Sequence, residues 1–173
     1  MKMKKKQVLA SFALCALVLA GCSTGGGDKA KTESGDKAAK QEINVVVQQE
    51  MPSGDLSLAT DTISFTALNN VYEGLYRLDK KDQPQPAGAE KEAEVSQDGT
   101  TYTVKLRKDA KWSNGDPVTA KDYVYGWQRT ADPKTAAEYA YLYALVKNGE
   151  AIINGEKPVS ELGIKAVDDY TLE

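Results

Sequence analysis

The chain opens on a basic cluster, Lys2, Lys4, Lys5 and Lys6, followed by an apolar run over 8–19 that only Ser11 interrupts. The run is shorter than the roughly 20 apolar residues a spanning helix needs, so the pattern predicts an export signal over 1–21 rather than a permanent membrane span. Residues 23–41, "STGGGDKAKTESGDKAAKQ", carry no large apolar side chain. Nothing there can offset the entropy of folding, and 22–41 is expected to be a flexible tether with a reach of roughly 25 Å. Apolar positions return at Ile43, and 42–173 is the expected folded region. "INVVVQQ" is β-branched and nearly continuous, which predicts a strand covered on both faces.

After the Pro52 and Gly54 turn, Ile63, Ala67, Leu68, Val71 and Leu75 recur at helical spacing. They predict a helix with Thr62 as its N-cap, ending near Gly74. In "TYTVKLR", Tyr102, Val104 and Leu106 alternate with polar residues, predicting a half-buried strand that pairs with "AEVSQ" across Asp98-Gly99. "SNGDP" is turn chemistry. It leads to a helix over "VTAKDYVYGWQR", with Thr119 as N-cap, Asp122 in a capping box, and Tyr123, Val124 and Trp127 on the buried side. Trp112 is expected in the core as well. Asp132-Pro133 ends that helix, and a further one is expected through "TAAEYAYLYALVKNGEAIIN", with Tyr139, Leu142, Tyr143 and Val146 on one face. A short turn at "SELG" follows. "IKAVDDYTLE" then reads as a strand, an Asp168-Asp169 turn and the start of a strand with no partner after it, from which a truncated chain is expected.

Composition narrows the chemistry. The chain has no histidine and two cysteines, Cys15 inside the apolar run and Cys22 just after it. His-dependent triads and His-containing zinc sites are excluded, and no disulfide framework can form. No metal or other cofactor is implied. Removing the four lysines of the signal takes the net charge from −3 to about −7, which disfavours nucleic-acid binding. The glycine-rich "TGGGDK" lacks the ending of a phosphate loop and any strand before it. The acidic pairs Asp168-Asp169 and Glu90-Glu92 suit solvated turns better than acid/base catalysis, and no nucleophile with a base is visible.

Two resemblances extend this reading. Leu19-Ala20-Gly21-Cys22 resembles the lipobox of bacterial lipoproteins, which implies cleavage before Cys22, a diacylglyceryl group on its sulfur, and a membrane anchor of two acyl chains. "VYEGLYRLD", "DGTTYTVKLRKDAKWSNGDPVTAKDYVYGWQRTADP" and "SELGIKAVDDYTLE" resemble the amino-terminal part of extracellular solute-binding proteins of the oligopeptide-binding type (family 5, peptide/nickel-binding). The tryptophan that family members often carry before the hairpin is absent from "AGAEKEAEV".

The resemblance implies an α/β fold: part of a two-lobed periplasmic-binding-protein-like architecture (type II) with an extra amino-terminal subdomain, truncated here. It implies a monomeric binding protein, not an enzyme, on the outer face of the cell membrane or in the periplasm. Oligopeptides would be its ligands and the permease subunits of an ABC transporter its partners. Carried over by position, Thr60, Asp61 and Thr62 in "ATDTIS" match the loop that contacts peptide main chain, and Tyr139 in "DPKTAAEYAY" matches a tyrosine lining the cleft. The first N–H groups of the following helix are expected to face outward, toward ligand. The alternatives are a receptor of the same fold for a dipeptide, a nickel complex or haem, and a surface lipoprotein without a transport role.

Overall fold

The computed structural model describes residues 42–173. The expected signal, the expected lipidation at Cys22 and the expected tether lie outside the described residues.

The first helix, α1 (Thr62–Val71), starts where Asp61 accepts hydrogen bonds from the Ile63 and Ser64 amides. Asp61 is therefore the N-cap, not Thr62. A carboxylate one residue earlier reaches both amides, whereas Thr62 already has helical geometry. The helix buries Ser64 and Leu68, one turn apart, and ends at Val71 rather than near Gly74. Strands β1 (Tyr76–Leu78) and β2 (Pro84–Pro86) then form a two-stranded antiparallel ribbon. Two prolines in β2 suit a small ribbon, since each lacks a ladder donor.

A four-stranded antiparallel sheet follows, built from β3 (Glu94–Val95), β4 (Tyr102–Lys105), β5 (Ala166–Asp168) and β6 (Thr171–Leu172) in the order β3-β4-β6-β5. The expected hairpin is the β3–β4 pair, with Gly99 in the left-handed region at φ 72°. The last strand has partners on both sides: β6 lies between β4 and β5, two elements that precede it. Its turn is Asp169-Tyr170, because Asp168 already pairs with Thr171. Tyr102 points to solvent while Val104 and Leu106 are buried, so the alternation holds only over the second half of the strand.

Helix α2 (Ala120–Ala131) packs on β5 and β6. Its start is as expected: the Asp122 carboxylate accepts the Thr119 amide at 2.6 Å and the Thr119 hydroxyl at 3.1 Å. Ala120, Ala131, Val104, Leu106, Ile152, Leu162, Ile164 and Leu172 form the core, with Tyr123, Val124 and Trp127 packed against it. Trp112 does not join them; it is 41% exposed, on the turn closed by hydrogen bonds between Trp112, Gly115 and Asp116.

Two further expectations fail. Residues 43–47 form no strand, and Val46 is 96% exposed. β-branched composition suits a sheet, but among the described residues no strand is hydrogen-bonded to this segment. The single long helix over 135–154 is instead a short 3₁₀ turn at Pro133–Thr135, a 3₁₀ helix at Glu138–Tyr143 and the short helix α3 (Gly149–Ile153). The backbone reverses at Ala136 (φ 54°) and Asn148 (φ 64°), both left-handed and incompatible with a continuous helix. A side chain at Gly149 would collide with the Tyr143 carbonyl, so the chain folds back closely there. Leu142 consequently faces solvent rather than the core.

Candidate functional site

Residues 53–64 form a run of short polar turns. The Ser53 hydroxyl accepts from the Asp55 amide at 3.1 Å, and the Asp55 carboxylate accepts from the Ser57 amide at 2.9 Å. The Asp55 carbonyl accepts from the amides of Leu58 and Ala59. Ser57 and Ala59 are buried while Thr60 is exposed, so the chain surfaces just before α1. There Asp61 turns its carboxylate onto Ile63 (3.0 Å) and Ser64 (2.8 Å). The Ser64 hydroxyl, then the Ser64 and Ile63 amides, hold the Asp61 carboxyl below the usual carboxylate range.

This corrects one expectation. The Ile63 and Ser64 amides are used internally by Asp61 and are not offered outward. Thr60 and Thr62 flank Asp61 as exposed residues, and the Thr62 carbonyl accepts the Thr66 hydroxyl at 2.7 Å.

Tyr139 comes to the same place from a distant part of the sequence. Its hydroxyl donates to the Thr60 carbonyl at 3.4 Å, a long and weak bond. Its ring stacks on Phe65 of α1, with centroids 6.0 Å apart and planes at 25°, and meets Tyr141 edge-on at 6.0 Å. The structure thus brings Thr60, Asp61, Thr62 and Tyr139 together and adds Phe65 and Tyr141. Phe65 lies one helical turn after Thr62, a spacing that would have marked it; Tyr141 sits two residues beyond Tyr139 on an exposed 3₁₀ helix.

Beneath the loop is a charge pair that sequence reading missed. Arg129 donates both ends of its guanidinium to Asp55, at 2.7 and 2.6 Å. The Arg129 guanidinium is the main cause holding the Asp55 carboxyl below its ordinary range, with the Ser57 amide adding to it against the opposing effect of burial. The hydroxyls of Ser57 and Thr130 lie 2.8 Å apart. The partners Asp55 and Arg129 are 74 positions apart, beyond any local pattern.

The acidic pairs are surface features. The Asp168 carboxylate accepts from the Tyr170 amide and the Thr171 hydroxyl, both at 2.8 Å, as a turn does. Glu90 lines an open groove with Glu94, Lys105, Lys108 and Asp168, mixed in charge. Among the described residues no group of three or more acidic, histidine or cysteine side chains could hold a metal ion.

Thr60 and Thr62 are exposed beside the stacked rings of Tyr139 and Phe65. Residues 83–173, more than half of the chain, match the model of the bacterial extracellular solute-binding proteins, family 5 Middle. The chain belongs to this solute-binding family. Tyr139 lies inside the matched segment and the Thr60–Asp61–Thr62 loop before it.

A dipeptide-binding protein of Lactococcus lactis subsp. cremoris is 46% identical over 136 residues, 78% of this chain and 24% of the relative. The substrate-binding domain of an oligopeptide ABC transporter from Bacillus anthracis is 61% identical in structure-based alignment, with TM-score 0.73, covering 78% of this chain and 26% of the other. Listeria monocytogenes OppA bound to peptide gives TM-score 0.70 and 57% identity over 71% of this chain and 24% of the other. The family 5 chain therefore spans about a quarter of the length of these relatives. Its mixed α/β fold is of the periplasmic-binding-protein type that they share.

Proposed function

We propose that the chain forms the amino-terminal part of a two-lobed receptor that binds oligopeptides and delivers them to the permease of an ABC importer. It performs no chemistry on them. The receptor is a monomer held at the outer face of the cell membrane by lipid on Cys22, with 22–41 as tether.

The observation that carries this reading is the meeting of the exposed Thr60–Asp61–Thr62 loop with the Tyr139 ring, in a chain similar to an OppA with peptide bound. A receptor that accepts many peptides reads what all peptides share. Main-chain hydrogen bonds to an extended ligand supply that, with side chains entering roomy, wet pockets. Thr60 and Thr62 are exposed beside Tyr139, whose ring, backed by Phe65, offers a rigid wall that costs little entropy to use. A second reading keeps the site and shortens the ligand to a dipeptide, favoured by the relative named for that activity.

Calorimetry on the full-length protein tests both. Heat with peptides from tripeptides upward, and little with dipeptides or free amino acids, supports the oligopeptide receptor. Heat with dipeptides alone favours the second reading, and heat with neither overturns both. Intact peptide recovered by mass spectrometry after long incubation supports binding without turnover.

A further inference from the structure

The contact that joins the two halves of the site is too weak to align them. An O–H···O distance of 3.4 Å between Tyr139 and Thr60 lies at the outer limit of a hydrogen bond, and the Phe65 stack is one ring pair. Their alignment depends on what each half is fastened to. The loop is tied to the start of α1 by the Asp61 cap and the Ser53–Ser64 bond, and to the last turn of α2. Arg129 grips the Asp55 carboxylate with two bonds, and the next residue, Thr130, meets Ser57 at 2.8 Å. Two consecutive helix residues thereby hold alternate residues of the segment that leads, three residues after Ser57, into Thr60.

The other half starts from the same helix end. Asp132 closes α2 and its side chain accepts the Lys134 amide at 3.0 Å; the chain then runs through the 3₁₀ turn to Tyr139. Thr60 and Tyr139 are both referenced to one turn of one helix. A bidentate guanidinium–carboxylate pair fixes direction as well as distance, which a lysine point charge would not.

We propose that Arg129 is a positioning residue for the Thr60–Asp61–Thr62 loop, acting through Asp55. It touches no ligand. The pair is one-third exposed on both sides and stands outside the apolar core. What it holds is therefore local. The inference about the loop stands on geometry; its consequence for affinity rests on the peptide-receptor reading above.

The test uses the full-length protein, as wild type, R129K, R129Q, D55N and R129Q/D55N. Amide hydrogen exchange without ligand is read alongside calorimetry with the tightest binder of a short oligopeptide library. The expected result for R129Q and D55N is about tenfold faster exchange over 57–64 and about tenfold weaker binding, with the β4 amides unchanged. R129K falls between, and the double variant is no worse than D55N.

Exchange over 57–64 within about twofold of wild type in R129Q overturns the proposal, as does an equal rise in the β4 amides, which would mark general destabilisation. Faster loop exchange with unchanged affinity in a wild type that binds overturns the positioning role. If the wild type binds no peptide while loop exchange responds, the fastening stands and the receptor reading falls. Should R129Q fail to fold, R129K decides by the same criteria.

Discussion

Two neighbouring parts of this chain are held together by different chemistry. The four-stranded sheet with α2 and α3 closes on aliphatic side chains: Leu106 is 2% exposed and Ile152 is fully buried. Residues 53–64 are held by serine hydroxyls, two aspartates and one arginine, and their buried positions include Ser57 and Ser64. Apolar burial is non-directional and tolerates small shifts, so it suits a scaffold. Hydrogen bonds and a bidentate ion pair are directional, so they suit a loop whose backbone must present itself at a set angle. The site belongs to the second kind of structure and rests on the first.

The largest losses are expected in the apolar part. Gly149→Ala places a methyl against the Tyr143 carbonyl and carbon, and Ile152→Ala opens a cavity in the core. Each is expected to cost about 2–5 kcal/mol of stability, read from urea unfolding. Trp112→Ala, at a residue 41% exposed on a turn, should cost about 1 kcal/mol or less. A loss as large as that of Ile152→Ala would put Trp112 back in the core.

In the polar part the effects are local. Asp61→Ala removes the acceptor of two helix-start amides, and exchange of Ile63 and Ser64 should rise about fivefold while the sheet amides hold.

Acid sharpens the contrast further. Asp55 and Asp61 both have lowered pKa values in the fold. A carboxyl depressed on folding stabilises the folded form above its unfolded value and loses that contribution as pH falls through its folded value. Protection over 53–64 should thus persist at neutral pH and weaken only below about pH 4, together with the β5–β6 turn where Asp168 is lowered in the same way, and before the amide of the buried Val104 opens. Exchange measured across an acid series reads this directly. Simultaneous loss over 53–64 and at Val104 would remove the distinction.

The sequence spoke most clearly where the determinants are close in the chain. The capping box at Thr119 and Asp122 spans three positions and the Asp98-Gly99 hairpin a handful, and both are found in place. The candidate residues Thr60, Asp61, Thr62 and Tyr139 rest on family resemblance rather than on local pattern, and the structure puts the Tyr139 hydroxyl 3.4 Å from the Thr60 carbonyl. It fails where distant chain decides. Nothing near Asp55 announces Arg129, and nothing in "EYAYLYALVKNG" announces that Asn148 turns left-handed or that Gly149 packs on the Tyr143 carbonyl. The apolar segment 43–47 has the composition of a strand, yet composition does not supply a partner.

Peptide capture through the ligand's main chain is the proposal on which the role of the 53–64 loop depends. Titration calorimetry of the full-length protein against oligopeptides of unrelated sequence tests it most directly. Saturable heat is expected with several of them, with at least a tenfold loss when the main-chain amides are N-methylated at alternate positions. No binding to any peptide, or full affinity for the methylated ones, would contradict it.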